Sequence, residues 1–393
     1  MMKKMTGILL TAFAAAMLCA AETKWEDFTN SKTWLVAGKP AAANAAGEPI
    51  TFEGPAKIYT KSFRVYPAVN ADADKKFTGV VFKVKGDGSN QWTCITFIAG
   101  PQYCATYYFP LTAGVTEHRV AFADMAPSKD MAFVAPASFT AGSFTAISTG
   151  DYWRISHNNY PRPAYTYQLM DLRLLDDIQP QMIPGKFKPA GIDGVIAKMK
   201  AGQPVKILCF GDSITAGTGL RDRENERYAT VLQGMLRKHY KNDKIEVRSV
   251  AVGGAHTYQS IGWLDRDLEK GGMPDAATML IGYNNRSACQ TKEFYAAHLE
   301  QWIDRFAFKT GGKAAVVLIP AVQGVPRFHD QQDMADATRE IAAKRGLQIA
   351  PIDEAIAKLG PVRYKAEYLA DSVHPNPAGH KLFAEVLFKS FVK

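Results

Sequence analysis

Val205-Lys206-Ile207-Leu208-Cys209-Phe210 runs directly into Gly211-Asp212-Ser213-Ile214-Thr215. The first six residues are a nearly continuous apolar run, the pattern of a strand buried on both faces. Gly211 then permits a tight turn and close backbone approach. Ser213 is thereby placed just beyond the strand, exposed at the sheet edge. From this point the chain alternates strands and helices. The patterns predict a helix over 227–239, strands over 245–252 and 278–281, and a helix over 294–308. A strand over 314–319, a helix over 332–344 and a strand over 347–352 follow. A helix over 377–391 closes the chain, with Asn376 as its N-cap and Pro377 in its first turn. Such alternation means a parallel sheet with helices on both faces, an α/β domain over residues 205–393.

Upstream the pattern differs. Short segments rich in aromatic and β-branched residues recur over 77–85, 92–98, 103–109, 118–122 and 165–174. Gly86-Asp87-Gly88 and Gly100-Pro101 punctuate them. Many short strands with Gly/Pro turns predict an antiparallel β-sandwich over residues 22–177. Residues 178–204 carry Pro180, Pro184 and Pro189 and read as a linker with a short helix at 192–199. No internal repeat interrupts this division.

The chain has 393 residues, 47% of them hydrophobic and 22% charged. That composition excludes a wholly disordered chain and a collagen-like or coiled-coil protein, and supplies enough apolar material for two cores. Residues 1–21 read as a secretory signal peptide: Lys3 and Lys4, an apolar run from Ile8 to Cys19, then small Ala20 and Ala21. The run is too short for an ordinary membrane span, and no later stretch is long and apolar enough to cross a bilayer. Lipid attachment at Cys19 is disfavoured because Leu18 is bulky. The expected location is therefore secreted or periplasmic. Loss of Lys3 and Lys4 lowers the formal net charge from +9 to +7. The surplus forms no basic block, which argues against a nucleic-acid partner. Cys94, Cys104, Cys209 and Cys289 are too few for a disulfide scaffold and show no zinc spacing. Cys94 and Cys104 flank the Gly100-Pro101 turn, so a bridge and two buried thiols both stay open.

In an open parallel sheet, ligands bind beyond the carboxyl ends of the strands. Four polar clusters fall there: Gly211-Asp212-Ser213, Gly253-Gly254-Ala255-His256, Gly282-Tyr283-Asn284-Asn285 and Asp371-Ser372-Val373-His374. They supply the parts for acyl transfer. A serine hydroxyl needs a base, and a histidine oriented by a carboxylate provides one near neutral pH. Asp371 and His374 are three apart, so one turn can bring them together. Backbone N–H groups of Ser213 and Gly254 and the Asn284 amide can donate to an oxyanion.

Taken in this order, the clusters resemble the SGNH (GDSL-type) hydrolase family, over roughly half the chain. The resemblance implies a three-layer α/β/α fold with Ser213 as nucleophile, His374 as base and Asp371 as its orienting acid. It implies an oxyanion hole of Ser213, Gly254 and Asn284, with Gly254 preferred to Gly253. It calls for no cofactor and no metal. One departure is Asn285, where the family often has aspartate; loop geometry is put in question more than the reaction. His256 and Tyr283 are candidates for a substrate rim, with packing the favoured role. Arg286 is read as solvated rather than substrate-bound, and His380 as structural.

The N-terminal half resembles the jelly-roll modules found beside polysaccharide-active enzymes. Two-domain esterases of this layout are similar to carbohydrate esterases, so an O-acetylated saccharide or polysaccharide is the expected substrate. Trp92, Tyr103, Tyr107 and Tyr108 are candidates for stacking on sugar, against the commoner role of core. Rival readings are a lipolytic or thioester hydrolase, an acyltransferase, and a non-catalytic glycan-binding protein. Oligomeric state is not legible.

Overall fold

The computed structural model describes residues 22–55, 57–62, 75–99, 103–127, 138–150 and 163–392. The expected signal peptide and the Gly100-Pro101 turn lie outside them.

Two large antiparallel sheets, one of five strands and one of seven, and a two-stranded pairing of Lys76–Phe77 with Phe139–Thr140 form the N-terminal half among the described residues. In the first, Tyr165–Leu175 pairs with Gly79–Asp87 and with Glu22–Glu26, and Gly79–Asp87 pairs with Ala113–Ala121. In the second, Trp92–Ala99 lies between Tyr103–Pro110 and Phe144–Gly150. The inner faces share one aromatic-rich core, including Trp34, Phe52, Phe82, Phe97, Phe109 and Tyr167. This is a β-sandwich, as the segment pattern predicts. Register decides against a Cys94–Cys104 bridge, one of the two readings left open. Cys94 lies opposite Tyr108 and Cys104 opposite Ile98, four residues apart along the ladder. The Cys94 thiol instead donates to the Gly150 carbonyl at 3.0 Å.

The C-terminal half is built on five parallel strands. In chain order they are Val205–Gly211, Ile245–Ser249, Ala276–Leu280, Ala315–Ile319 and Gln348–Ile349. Their order across the sheet is second, first, third, fourth, fifth. Alternation along the strands builds two cores. Ile207, Cys209, Leu280, Val317 and Ile319 pack on one side with the helices Ile192–Lys200, Tyr228–Tyr240 and Pro377–Phe388. Leu208, Phe210, Met279, Val316 and Leu318 pack on the other with Thr257–Gly271, Lys292–Lys309 and Gln332–Arg345. The result is the three-layer α/β/α architecture. The first strand has the second on one side and the third on the other, so the chain reverses direction across the sheet there. That reversal is where such sheets open a crevice for ligands.

The two halves meet through the 257–271 helix. Tyr108 packs edge-on against Trp263 with ring centroids 6.3 Å apart. Arg305 donates to the carbonyls of Ala123, Asp124 and Met125 in the sandwich. Among the described residues no helix is long and apolar enough to cross a membrane.

Candidate active site

Gly211 ends the first strand where no side chain fits. A Cβ there would lie 2.4 Å from the Leu280 carbonyl and 2.3 Å from the Thr215 hydroxyl. The chain then turns into a short helix, Ser213–Ala216, with Asp212 as N-cap accepting the Ile214 N–H at 3.0 Å. Ser213 thus opens the helix at the carboxyl edge of the sheet.

The last loop reaches the same point from the other end of the chain. Residues 369–375 fold back on themselves, with the Ala370 N–H bonded to the His374 carbonyl. The Val325 N–H donates to the Ser372 carbonyl and ties this loop to the one after the fourth strand. His374 Nε2 lies 2.9 Å from Ser213 Oγ, across 161 residues of sequence. His374 Nδ1 lies 2.8 Å from Asp371 Oδ2. The other Asp371 oxygen accepts the N–H groups of Val373 and His374, each at 2.7 Å. Burial pushes the Asp371 carboxyl up, but these bonds and the His374 ring outweigh it and hold the group below its ordinary value. Asp371 is therefore ionised at neutral pH and fixes the imidazole with Nδ1 as donor. Nε2 is left to accept the serine proton.

Gly254 and Asn284 bring the remaining loops to this edge. Gly254 has φ +72°, a conformation glycine adopts without strain, and the turn is closed by the Ala255 N–H on the Val252 carbonyl. Gly253 is buried whereas Gly254 is half-buried, which favours Gly254 as the one to meet a ligand. Asn284 Nδ2 donates to Asp212 Oδ2 at 3.2 Å and to the Ala255 carbonyl at 3.1 Å. Both of its amide hydrogens are thus engaged, and donation to an oxyanion requires one of these bonds to give way.

Asp212 is the residue that sequence reasoning missed. It is 1% exposed and holds both the Ser213 helix and the Asn284 amide. Burial pushes its carboxyl up to about 6, against the Ile214 N–H and the nearby His374, which favour the charged form. The available signal was an aspartate directly ahead of a helix start, the N-cap pattern.

Asn285, the departure from the family's aspartate, is fully buried. Its Oδ1 accepts the Thr257 N–H at 3.4 Å and its Nδ2 donates to Gln290 at 2.6 Å. The amide oxygen stands where a carboxylate oxygen would and ties the third-strand loop to the second-strand loop. His256 is 4% exposed, stacks on Tyr258 and bonds Gln259 from both its N–H and its ring, which is a helix-capping post and not a rim. Tyr283 is half-buried beside Gly324. Burial raises its hydroxyl, Arg327 lowers it, and the charges of Asp212 and Asp371 both reach it. It is the rim candidate that the fold keeps at the edge. His380 is buried, and its Nδ1 accepts the Tyr228 N–H at 3.2 Å. Burial lowers it to about 3 and keeps it neutral. Trp92 is buried in the sandwich, Tyr107 bonds His118 and packs on the core, and Tyr108 faces the 257–271 helix. The Tyr103 side chain lies outside the described residues.

Residues 209–382 match the GDSL-like Lipase/Acylhydrolase family. An acetylxylan esterase of Xylanibacter ruminicola is 26% identical over 210 residues, spanning 47% of this chain and 42% of that protein. A GDSL-like esterase of Mycobacterium tuberculosis is 26% identical over 234 residues, spanning 53% of this chain and 71% of that one. The chain therefore spans less than half the length of the first of these relatives. Among solved structures, a two-domain esterase active on acetylated mannans aligns at 23% identity and a TM-score of 0.41, covering 51% of this chain and 52% of that one. An acetylxylan esterase from Geobacillus stearothermophilus aligns at 19% identity and a TM-score of 0.39, covering 48% and 94%. The family match coincides with the parallel-sheet half and takes in Ser213, Gly254, Asn284, Asp371 and His374: the C-terminal half of the chain carries a GDSL-like lipase/acylhydrolase domain.

Proposed function

We propose that the protein is a serine esterase that removes O-acetyl groups from saccharides. The observation that carries this reading is the continuous hydrogen-bonded line from Ser213 Oγ through His374 to Asp371. In the proposed reaction His374 Nε2 takes the Ser213 proton as Oγ attacks the ester carbonyl. Asp371 offsets the imidazolium charge while the tetrahedral intermediate forms. The N–H groups of Ser213 and Gly254 and the Asn284 amide stabilise its oxyanion. His374 then returns the proton to the leaving sugar hydroxyl. Water, activated by the same histidine, releases acetate from Ser213.

The acetyl-saccharide part rests on the acetylxylan esterase relative and on the β-sandwich beside the catalytic half. Action outside the cytoplasm is proposed from the leader pattern at residues 1–21, with a mature chain beginning at Glu22. The test compares an aryl acetate with the aryl octanoate for the chain from Glu22 and for Ser213→Ala. Acetate should be preferred, and turnover should vanish in the variant. Preference for octanoate would favour a lipolytic enzyme, and turnover that survives Ser213→Ala would sink the mechanism.

A further inference from the structure

Among the described residues, most arginines are engaged. Arg119 pairs with Asp177 and Arg345 with Asp304, for example, while Arg237 and Arg305 donate to backbone carbonyls. Arg221, Arg286 and Arg327 are the exceptions, with no carboxylate, carbonyl or aromatic ring bound to any of them. All three lie in the segments that leave the carboxyl edge of the parallel sheet, Arg221 in a loop after the first strand, Arg286 in the short helix after the third and Arg327 in the 3-10 turn after the fourth. Ser213 stands at that same edge.

Their placement around the site follows from the backbone. The Val325–Arg327 turn is bolted to the catalytic loop by the Val325 N–H on the Ser372 carbonyl at 2.8 Å. The Arg327 charge bears on the Tyr283 hydroxyl, which also feels Asp212 and Asp371. Arg286 follows Tyr283 by three residues in the helix Tyr283–Ser287, a spacing that sets two side chains on one face. The loop carrying Arg221 passes His374: a Cβ on Gly219 would lie 3.4 Å from the His374 Cβ.

An exposed arginine is ordinarily satisfied by water, and Arg221 is exposed. Arg286 differs. It is half-buried, and its Nε is shielded from solvent with no acceptor. A shielded, unpaired donor on a cation is costly. The carboxylates of the site are engaged elsewhere. Asp371 is held by His374 and two N–H groups, and Asp212 by Ile214 and Asn284. A guanidinium fork matches a planar carboxylate in two parallel hydrogen bonds.

We propose that Arg286 and Arg327, with Arg221 farther out, select a saccharide bearing a carboxylate near the acetyl ester, that is, an O-acetylated chain containing uronic acid. This inference rests on the acetylesterase reading above and names its substrate class.

The test measures acetate release from an acetylated xylo-oligosaccharide carrying glucuronic acid and from a neutral one of equal length. Wild type, Arg286→Gln, Arg327→Gln and Ser213→Ala are compared at low and high salt. Wild type should favour the acidic substrate about tenfold in kcat/KM, and each arginine substitution should cut that ratio by about fivefold or more. The preference should also shrink with added salt, as screening predicts. Equal use of both saccharides by wild type, or a ratio that neither substitution changes, overturns the proposal while leaving the esterase reading intact. Faster hydrolysis of acetyl-coenzyme A than of either saccharide assigns the arginines to phosphate and also overturns it. Acetate release that survives Ser213→Ala removes the esterase reading itself, and the inference with it.

Discussion

The sandwich and the parallel-sheet half bury different kinds of side chain. The sandwich core is aromatic, and the described polar groups within it are few: Glu26, Thr93, Thr106 and Thr149. The other half buries Asp212, Thr215, His256, Thr257 and Asn285 together at the carboxyl edge of its sheet. Burying a polar group costs free energy unless it is hydrogen-bonded, and a carboxylate costs most. Aromatic strands need no such explanation, because packing alone justifies Trp92 and Tyr107. A concentration of buried polar groups at one edge does need it, and the groups there hold Ser213 and Asn284 in place. In this molecule the burial of polar side chains identifies the site better than aromatic surface does.

Substitutions in the two halves should therefore fail differently. His374→Ala should lower kcat by about ten-thousand-fold or more, since it removes the base proposed for Ser213. Its melting temperature should stay near that of wild type; a joint collapse of activity and stability would mean that His374 holds the fold together. Phe82→Ala in the sandwich should do the opposite. Emptying that fully buried site should cost about 3–5 kcal/mol by urea denaturation. The folded fraction should keep its kcat, and a loss of kcat there would break the contrast.

Asp212→Asn sharpens the comparison with a smaller effect. The amide oxygen can still accept the Ile214 N–H, but the buried ionisable group is gone. A carboxyl raised to about 6 on folding contributes stability below its unfolded value, and that contribution is lost as pH rises through 6. Wild type should therefore lose stability relative to Asp212→Asn between about pH 4 and 7, by on the order of 2 kcal/mol. Parallel stability curves across that range would show that Asp212 is not perturbed by burial. Any drop in kcat for the variant measures how far Asp212 acts through Asn284.

The sequence made most of this legible where periodicity was clean. The apolar run at 205–210 ends one residue later in the structure, and the helix expected over 332–344 spans Gln332–Arg345. The strands at 77–85 and 165–174 shift by no more than two residues at either end. The Thr257–Gly271 helix was not legible. Its buried face includes Gln259, Ser260 and the paired Arg266 and Asp267, because it packs between the two halves where charges are buried as pairs. Charged residues of that kind read as solvated surface. The Ile352–Tyr368 segment was missed for another reason: Gly360 at φ +72° and Pro361 break the helical period midway. In the site, the meeting of Ser213, His374 and Asp371 was legible because the pattern of those residue types is recognisable in one dimension. Asp212 was not, because its task depends on burial, and the capping role of His256 shows only in three dimensions.

The most direct test of the central claim is covalent labelling by an aryl fluorophosphonate, located by peptide mass spectrometry. One label per chain is expected, on Ser213, forming at a rate that collapses in His374→Ala. Labelling on another residue, or labelling of Ser213 at the same rate without His374, would contradict it.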